Sequence, residues 1–386
     1  MRAKTRWAVW RVLTSTILGA ALVLQAGCAG PGAASDGKVQ VGLLANLTGG
    51  AAASFGVPFQ NGFELALDEA RKSMDAAGVG IEVVTEDAKS TVPSAVTGYN
   101  KLRSAGVAVV VQDSQSPLGQ AIAPLANDDK LALLSGAGSK LENSGGYAFR
   151  FTDLGTPTRA MGTYLTGHGA KRVGAVVASD NPSFATLADA TEAGLPHGYV
   201  SRQEISATDT DFAAVLANLR NDKVDAVVLS VLPAQAGNIL LQIQQSGGFK
   251  DVLLVGTVAI SEETFTVARH AAVGFVFPQV WAPGADGAAR FQTTYRQKYH
   301  ELPTAYGALG YQVGWITAAA ILHAHDGGKV SGATVRDALP AASRGDLVAK
   351  HGILNLALAP EGTASSTGVM ASFDDTGAMV TVRQDG

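Results

Sequence analysis

Short, nearly continuous apolar runs alternate along this chain with longer stretches whose apolar residues recur every three or four positions. The first run covers 39–44 and leads into a helical pattern over about 58–77, with Pro58 suited to the first helical turn. Runs at 81–84, 107–111 and 131–134 follow, separated by helical patterns at about 93–104 and 117–127. Strands that are apolar on both faces and spaced by amphipathic helices predict a parallel sheet covered on both sides.

The rhythm then restarts. Helical patterns at 157–168, 182–193, 212–220 and 233–246 alternate with strand-like runs at 173–178, 199–205, 226–229 and 252–255, and 273–281 is again strand-like. Asp211 sits where a carboxylate can accept orphan backbone N–H bonds at a helix start. Two further helices are expected over about 288–300 and 304–324. The expected fold is therefore α/β: two doubly wound parallel-sheet lobes joined by hinge strands, with a ligand cleft between them. The divisions read as 1–28 leader, 29–37 flexible tether, 38–154 first part of lobe 1, 155–282 main part of lobe 2, 283–350 second part of lobe 1, and 351–386 a C-terminal crossover segment.

Size agrees with two lobes, since single cores stop growing near ~250–300 residues and this chain has 386. A net charge of −4 without a basic stripe lacks the electrostatic footprint of nucleic-acid binding. At the N-terminus, Arg2, Lys4, Arg6 and Arg11 precede an apolar run at 12–24 and the small residues Ala26 and Gly27 before Cys28. This is an export-signal pattern, and the run is shorter than the ~20 apolar residues a membrane-spanning helix needs. Cys28 is the only cysteine, so an intramolecular disulfide is excluded. The site resembles a bacterial lipobox, which implies a lipidated Cys28 and an extracytoplasmic, membrane-anchored protein. Gln25 departs from that pattern, where an apolar residue is preferred, and ordinary secretion is the alternative.

Ligands of doubly wound sheets bind outside the carboxyl ends of strands, which selects the loops 46–56, 86–87, 112–117 and 135–139. Small and hydroxylated residues dominate all four. Ser116 falls at an expected helix N-cap before Pro117, so it either caps its own helix or helps that terminus receive an anion. Gly136 and Gly138 let backbone approach a ligand closely, but Gly138-Ser139-Lys140 lacks the order of a phosphate loop. Nucleophile-elbow, paired-histidine metal and dinucleotide-binding motifs are absent. His323 and His325 are two apart on a helix and do not share a face. Neither an enzyme, nor a metal site, nor a cofactor is expected.

Val41-Gly42-Leu43, Leu47-Thr48-Gly49, Phe55-Gly56, Asn61-Gly62 and Glu64-Leu65-Ala66 resemble the opening of leucine/isoleucine/valine-type periplasmic solute-binding proteins. Glu86-Asp87, Ser116 with Pro124, the 135–139 loop, Phe149-Arg150, the 209–212 segment, the 225–228 segment, Tyr311 and Phe373-Asp374 follow in the family's order. The resemblance implies two lobes that close on a small ligand, and as partners the permease subunits of an ABC importer. It also implies that Ser116 and Ser139 donate to a ligand carboxylate with the backbone around Ala137 assisting, and that Phe55 packs on the ligand's apolar part. A monomer is expected, and a sensor presenting its closed form to a signalling receptor is the alternative function.

The second lobe departs from that pattern. Phe184 stands where the family's aromatic follows the Asp180 loop, Val231-Leu232 replaces an aromatic before Pro233, and Val258 is nearest to the acid that would hold an amino acid's ammonium. Enclosing an unpaired ammonium costs several kcal/mol, and each ~1.4 kcal/mol is tenfold in affinity. Either Glu262, Glu263 or another acid supplies the counter-charge, or the ligand is a small organic or aromatic acid without an amine. Phe184, Leu232, Val258 and Trp281 would then surround its hydrocarbon, or else pack internally as strand-end apolar residues commonly do.

Overall fold

The computed structural model describes residues 37–382, apart from 144, 153, 154, 181, 285, 286 and 367. The leader, Cys28 and most of the tether lie outside the described residues.

The first sheet forms from β1 (Lys38–Ala45), β2 (Gly80–Asp87), β3 (Val109–Gln112), β4 (Ala132–Ser135) and β5 (Ala148–Arg150), in the order β2-β1-β3-β4-β5 and parallel throughout. The intervening helices are α1 (Val57–Ala76), α2 (Val92–Ser104) and α3 (Ser116–Asp129). Side chains alternate across the pleat. Val41, Leu43, Val109, Val111 and Leu134 enter one core, while Leu44, Val110 and Leu133 enter another beneath α2 and α3. Burial on both faces explains why these strands read as unbroken apolar runs.

After β5 the chain passes through α4 (Gly155–Gly167), β6 (Val173–Ala178), α5 (Pro182–Ala193), β7 (Ser201–Ile205), α6 (Ala213–Asn221), β8 (Ala226–Ser230), α7 (Pro233–Ser246), β9 (Leu253–Gly256) and α8 (Glu262–Ala268). The second sheet is β7-β6-β8-β9, again parallel, and the same alternation divides Val176 and Leu229 from Val177 and Val228 between its two cores. The two doubly wound lobes expected from the sequence are present.

The run at 273–281 is mostly not strand. Only β10 (Phe277–Gln279) forms, because a 3-10 turn at Arg269–Ala272 delays it and Gly274 takes a positive φ of 78°. Beyond it the chain returns to the first core with α9 (Ala288–Tyr299), α10 (Ala305–Asp326), α11 (Gly332–Ala342) and α12 (Asp346–His351). A short hairpin, β11 (Ala357–Leu358) with β12 (Ala364–Ser365), precedes β13 (Val369–Phe373) and β14 (Met379–Thr381), and the last two pair antiparallel with β10 in the order β10-β13-β14. Leu358 belongs to the first core, whereas Ala371, Phe373 and Met379 belong to the second.

One helix contact positions the site. On α1 and α10, Gly62 and Gly310 let the two backbones meet. A Cβ on Gly310 would fall 2.1 Å from the Phe59 carbonyl oxygen, and one on Gly62 would fall 1.9 Å from that of Gly307. This crossing brings the first turn of α10 over the residues that lead into α1.

Candidate functional site

A cavity of about 200 Å³ opens where the strand-end loops of both lobes meet. Its first-lobe wall is Phe55, Ser114, Gln115, Ser116, Gly136, Gly138, Ser139 and Thr152, and the start of α10 adds Ala305, Tyr306 and Leu309. Its second-lobe wall is Ser183, Phe184, Leu187, Val258, Ala259, Gln279 and Val280. None of these is Lys, Arg, His, Asp or Glu. The volume is below the ~300–1,000 Å³ of drug-sized pockets, so a guest must be small. A larger hollow of about 750 Å³ beside α12 shares only Val280 with this cavity and gathers none of the hydroxyl loops.

The first-lobe wall is held by a dense set of hydrogen bonds. Ser116 is the first residue of α3, and Gln115 occupies the cap position with φ 71° and ψ 108°, a conformation uncommon for a residue other than glycine. The expected N-cap role of Ser116 is thus corrected: its Oγ accepts no bond from its own helix but one from the Ser139 N–H, at 3.0 Å. This ties the β3 loop to the β4 loop. No acceptor takes the Ser116 hydroxyl proton among the described residues.

Behind this wall Asp113 is fully buried. It accepts from the Asn46 N–H at 3.2 Å, from Asn46 Nδ2 at 3.0 and 3.1 Å, and from Ser114 Oγ at 3.2 Å. Burial raises its carboxyl to about 6, against the lowering effect of these donors. Asn46 in turn accepts the Ser90 N–H at 2.8 Å, so three strand ends are tied together. On the far strand, Arg150 donates to the Gly138 carbonyl at 2.8 Å and braces the glycine loop. Phe55 meets Tyr306 edge-on, with ring centroids 4.5 Å apart and planes at 67°. Burial and the Asp113 charge push the Tyr306 phenol up to about 12, so it stays protonated.

The second-lobe wall is mainly hydrocarbon. Phe184 and Leu187 project from α5 and are 6% exposed each, and the Phe184 carbonyl accepts from the buried Ser230 Oγ at 2.8 Å. Gln279 Nε2 donates to the Ile260 carbonyl at 2.6 Å, anchoring the loop that carries Val258 and Ala259. Glu262 and Glu263 open α8 and are not part of the cavity wall.

Five residues selected from the sequence, Phe55, Ser116, Ser139, Phe184 and Val258, share this one cavity. Three others do not line it. The Ala137 N–H donates to Ser135 Oγ at 3.2 Å and its carbonyl accepts from Thr152 Oγ1, so its backbone is consumed within the lobe. Leu232 precedes α7 with its side chain 38% exposed, and Trp281 is buried against Phe291 in the first core. Sequence reasoning selected the loop that holds Ser114 without singling it out, and missed Thr152, Ser183, Leu187, Gln279 and Tyr306. Thr152 lies two residues past β5 and Gln279 is the last residue of β10, and a strand-end rule applied there would have found them. For Tyr306 only its place in the first turn after Thr304 was legible, since the α1–α10 crossing that aims it is long-range.

Among the described residues, no cluster of His, Cys, Asp and Glu is arranged to hold a metal, and no helix is long and apolar enough to cross a membrane.

A family model described as periplasmic binding protein matches residues 38–378. No curated protein matches the chain. Among solved structures, it is similar to the branched-chain amino acid transporter substrate-binding protein LivJ of Streptococcus pneumoniae in complex with isoleucine, with 23% identity, a TM-score of 0.74, and coverage of 89% of this chain and 99% of that one. A leucine-binding protein LivK from Thermotoga maritima has 21% identity and a TM-score of 0.73, over 89% of this chain and 98% of that one. A solute-binding protein of an ABC transporter from Rhodopseudomonas palustris in complex with 3,4-dihydroxybenzoic acid has 22% identity and a TM-score of 0.70, over 89% and 96%.

Proposed function

Because this chain belongs to the periplasmic binding protein family, whose members work outside the cytoplasm, we propose that it is the solute-binding component of an ABC importer that captures a small organic or aromatic acid lacking an amine. One observation carries the choice of ligand: the cavity wall is polar and hydroxylated on one side, apolar on the other, and free of ionised side chains. A carboxylate finds donors in Ser116 and Ser139, and a ring or branched hydrocarbon finds Phe55, Phe184, Leu187 and Val258. An ammonium finds no acidic side chain in the wall itself. Its enclosure would cost several kcal/mol, roughly a thousandfold or more in affinity. The structural neighbour that holds 3,4-dihydroxybenzoic acid supports this choice; the isoleucine complex is the competing precedent.

The working cycle follows from two lobes joined by crossing segments. The guest docks on the first-lobe loops, the second lobe closes over it, and the permease engages the closed form of a monomer held to the membrane through lipidated Cys28.

A thermal-shift panel tests the ligand class. Leucine, valine and phenylalanine are compared with 4-methyl-2-oxopentanoate, benzoate and 4-hydroxybenzoate, since a ligand at about a hundred times its Kd stabilises the native state by ~2.7 kcal/mol. The amine-free acids should raise Tm by several degrees and the amino acids should not. Leucine or valine stabilising alone sinks the assignment. Ser116→Ala with Ser139→Ala should weaken the bound acid at least tenfold, because a hydrogen bond to a charged group contributes ~1.5–3 kcal/mol. An unchanged Kd in that double variant removes the serines from the site.

A further inference from the structure

Resting on the reading that an anion sits against the hydroxyl loops, we infer that this protein takes up a proton when its ligand binds, with Asp113 as the acceptor and Ser114 as the link to the guest.

The argument is one of hydrogen-bond balance. Ser114 lines the cavity, and its hydroxyl carries a single proton. That proton is directed to Asp113 Oδ2, 3.2 Å away, while Ser114 Oγ itself accepts from Asn46 Nδ2 at 3.4 Å. A carboxylate arriving at Ser114 needs the same proton. If Ser114 turns to the guest, Asp113 loses a donor, and the fully buried Asp113 carboxylate faces a second anion across one residue. Adding a proton to Asp113 resolves both difficulties. The Asp113 O–H then donates to Ser114 Oγ, and the Ser114 O–H donates to the ligand carboxylate, with every oxygen satisfied.

The surroundings offer no other compensation. The Asp113 carboxylate meets the neutral Asn46 from the end of β1, Ser114 from its own loop and the Tyr306 phenol from α10. None of the ion pairs among the described residues includes it. The nearby carboxylate Asp87 is occupied by the N–H groups of Leu47, Thr48 and Lys89 and by the Thr48 hydroxyl. Burial already places Asp113 within reach of neutral pH, at about 6, before any ligand arrives. A second negative charge raises it further.

The direction of the effect follows by linkage. Below pH ~6 Asp113 is protonated in the free protein, so affinity is at its plateau. Above that, binding must draw a proton from solvent, and Kd rises up to tenfold per pH unit until the bound-state value is passed. A simple carboxylic acid ligand, with a pKa near 4, stays ionised across this window and contributes nothing.

Isothermal titration of benzoate and of 4-methyl-2-oxopentanoate at pH 7, in phosphate and in Tris, reads the proton directly, because the apparent enthalpy shifts with the buffer's own ionisation enthalpy. The expected result is uptake approaching one proton, with Kd rising five- to tenfold between about pH 6.5 and 7.5. Asp113→Asn should abolish both the uptake and the pH dependence. The wild-type measurement stands without it should that variant not fold. Binding with no proton exchange and a flat Kd overturns this inference while leaving the functional reading intact, and so does unchanged uptake in Asp113→Asn. If neither acid binds, the functional reading fails and this inference fails with it.

Discussion

The two walls of the cleft are built by different physics. On the first-lobe side, the loops are tied to one another by hydrogen bonds that run from Ser90 through Asn46 and Asp113 to Ser114, and from Ser139 to Ser116. They hold donors in fixed directions, and a non-glycine residue, Gln115, is kept in a costly conformation to do so. On the second-lobe side, Phe184, Leu187 and Val258 offer area rather than direction. Under the proposed function, one lobe sets the guest's orientation and the other its size. Guests sharing a carboxylate should differ in affinity mainly through what they present to the second lobe.

The comparison breaks most decisively at Val258. Val258→Glu places a carboxylate in the apolar wall, so benzoate should lose at least a hundredfold in affinity while leucine or phenylalanine gains measurable binding, the scale being the several kcal/mol of an unpaired buried charge. Titration calorimetry with both ligand types checks it, and unaltered preference would show that Val258 does not face the guest. A smaller effect comes from the scaffold. Gly310→Ala drives a methyl group into the Phe59 carbonyl oxygen, and overpacking of this kind costs ~1–3 kcal/mol. Denaturant unfolding should show that loss, and ligand affinity should fall as well because Tyr306 moves with α10. Stability lost without any change in affinity would separate the helix crossing from the site. The smallest effect sharpens the wall's edge: Leu232→Ala, at a half-exposed side chain outside the cavity, should shift stability and affinity by no more than ~0.5 kcal/mol.

The architecture was legible because parallel strands buried on both faces leave an unmistakable apolar signature, as in 107–111 and 226–229. Elements without that signature were missed. β5 has three residues, α8 has seven and α12 has six, too few for a periodicity to stand out, and the eleven-residue α11 was also passed over. At the site, strand-end loops located Ser116, Ser139 and Phe55, since position in such a sheet is a topological property. Leu232 and Ala137 show the limit of that rule. Whether a strand-end residue faces the cleft depends on the turn it makes, and Ala137 turns both of its backbone groups inward to Ser135 and Thr152. Asp113 was visible only as one more polar loop residue, because nothing local reveals that Asn46, 67 positions earlier, will donate to it.

That long-range pairing bears on how such a protein can diversify. A substitution at Asn46 or Asp113 disturbs three strand ends at once, so variants there should be tolerated less often than at the apolar wall. The hydrocarbon lining contributed by α5 and by the loop after β9 carries few such ties, and each side chain can be exchanged almost independently. If the proposed acid is the guest, lineages descended from this scaffold should keep a common grip on the acid group while exploring new hydrocarbon tails one residue at a time.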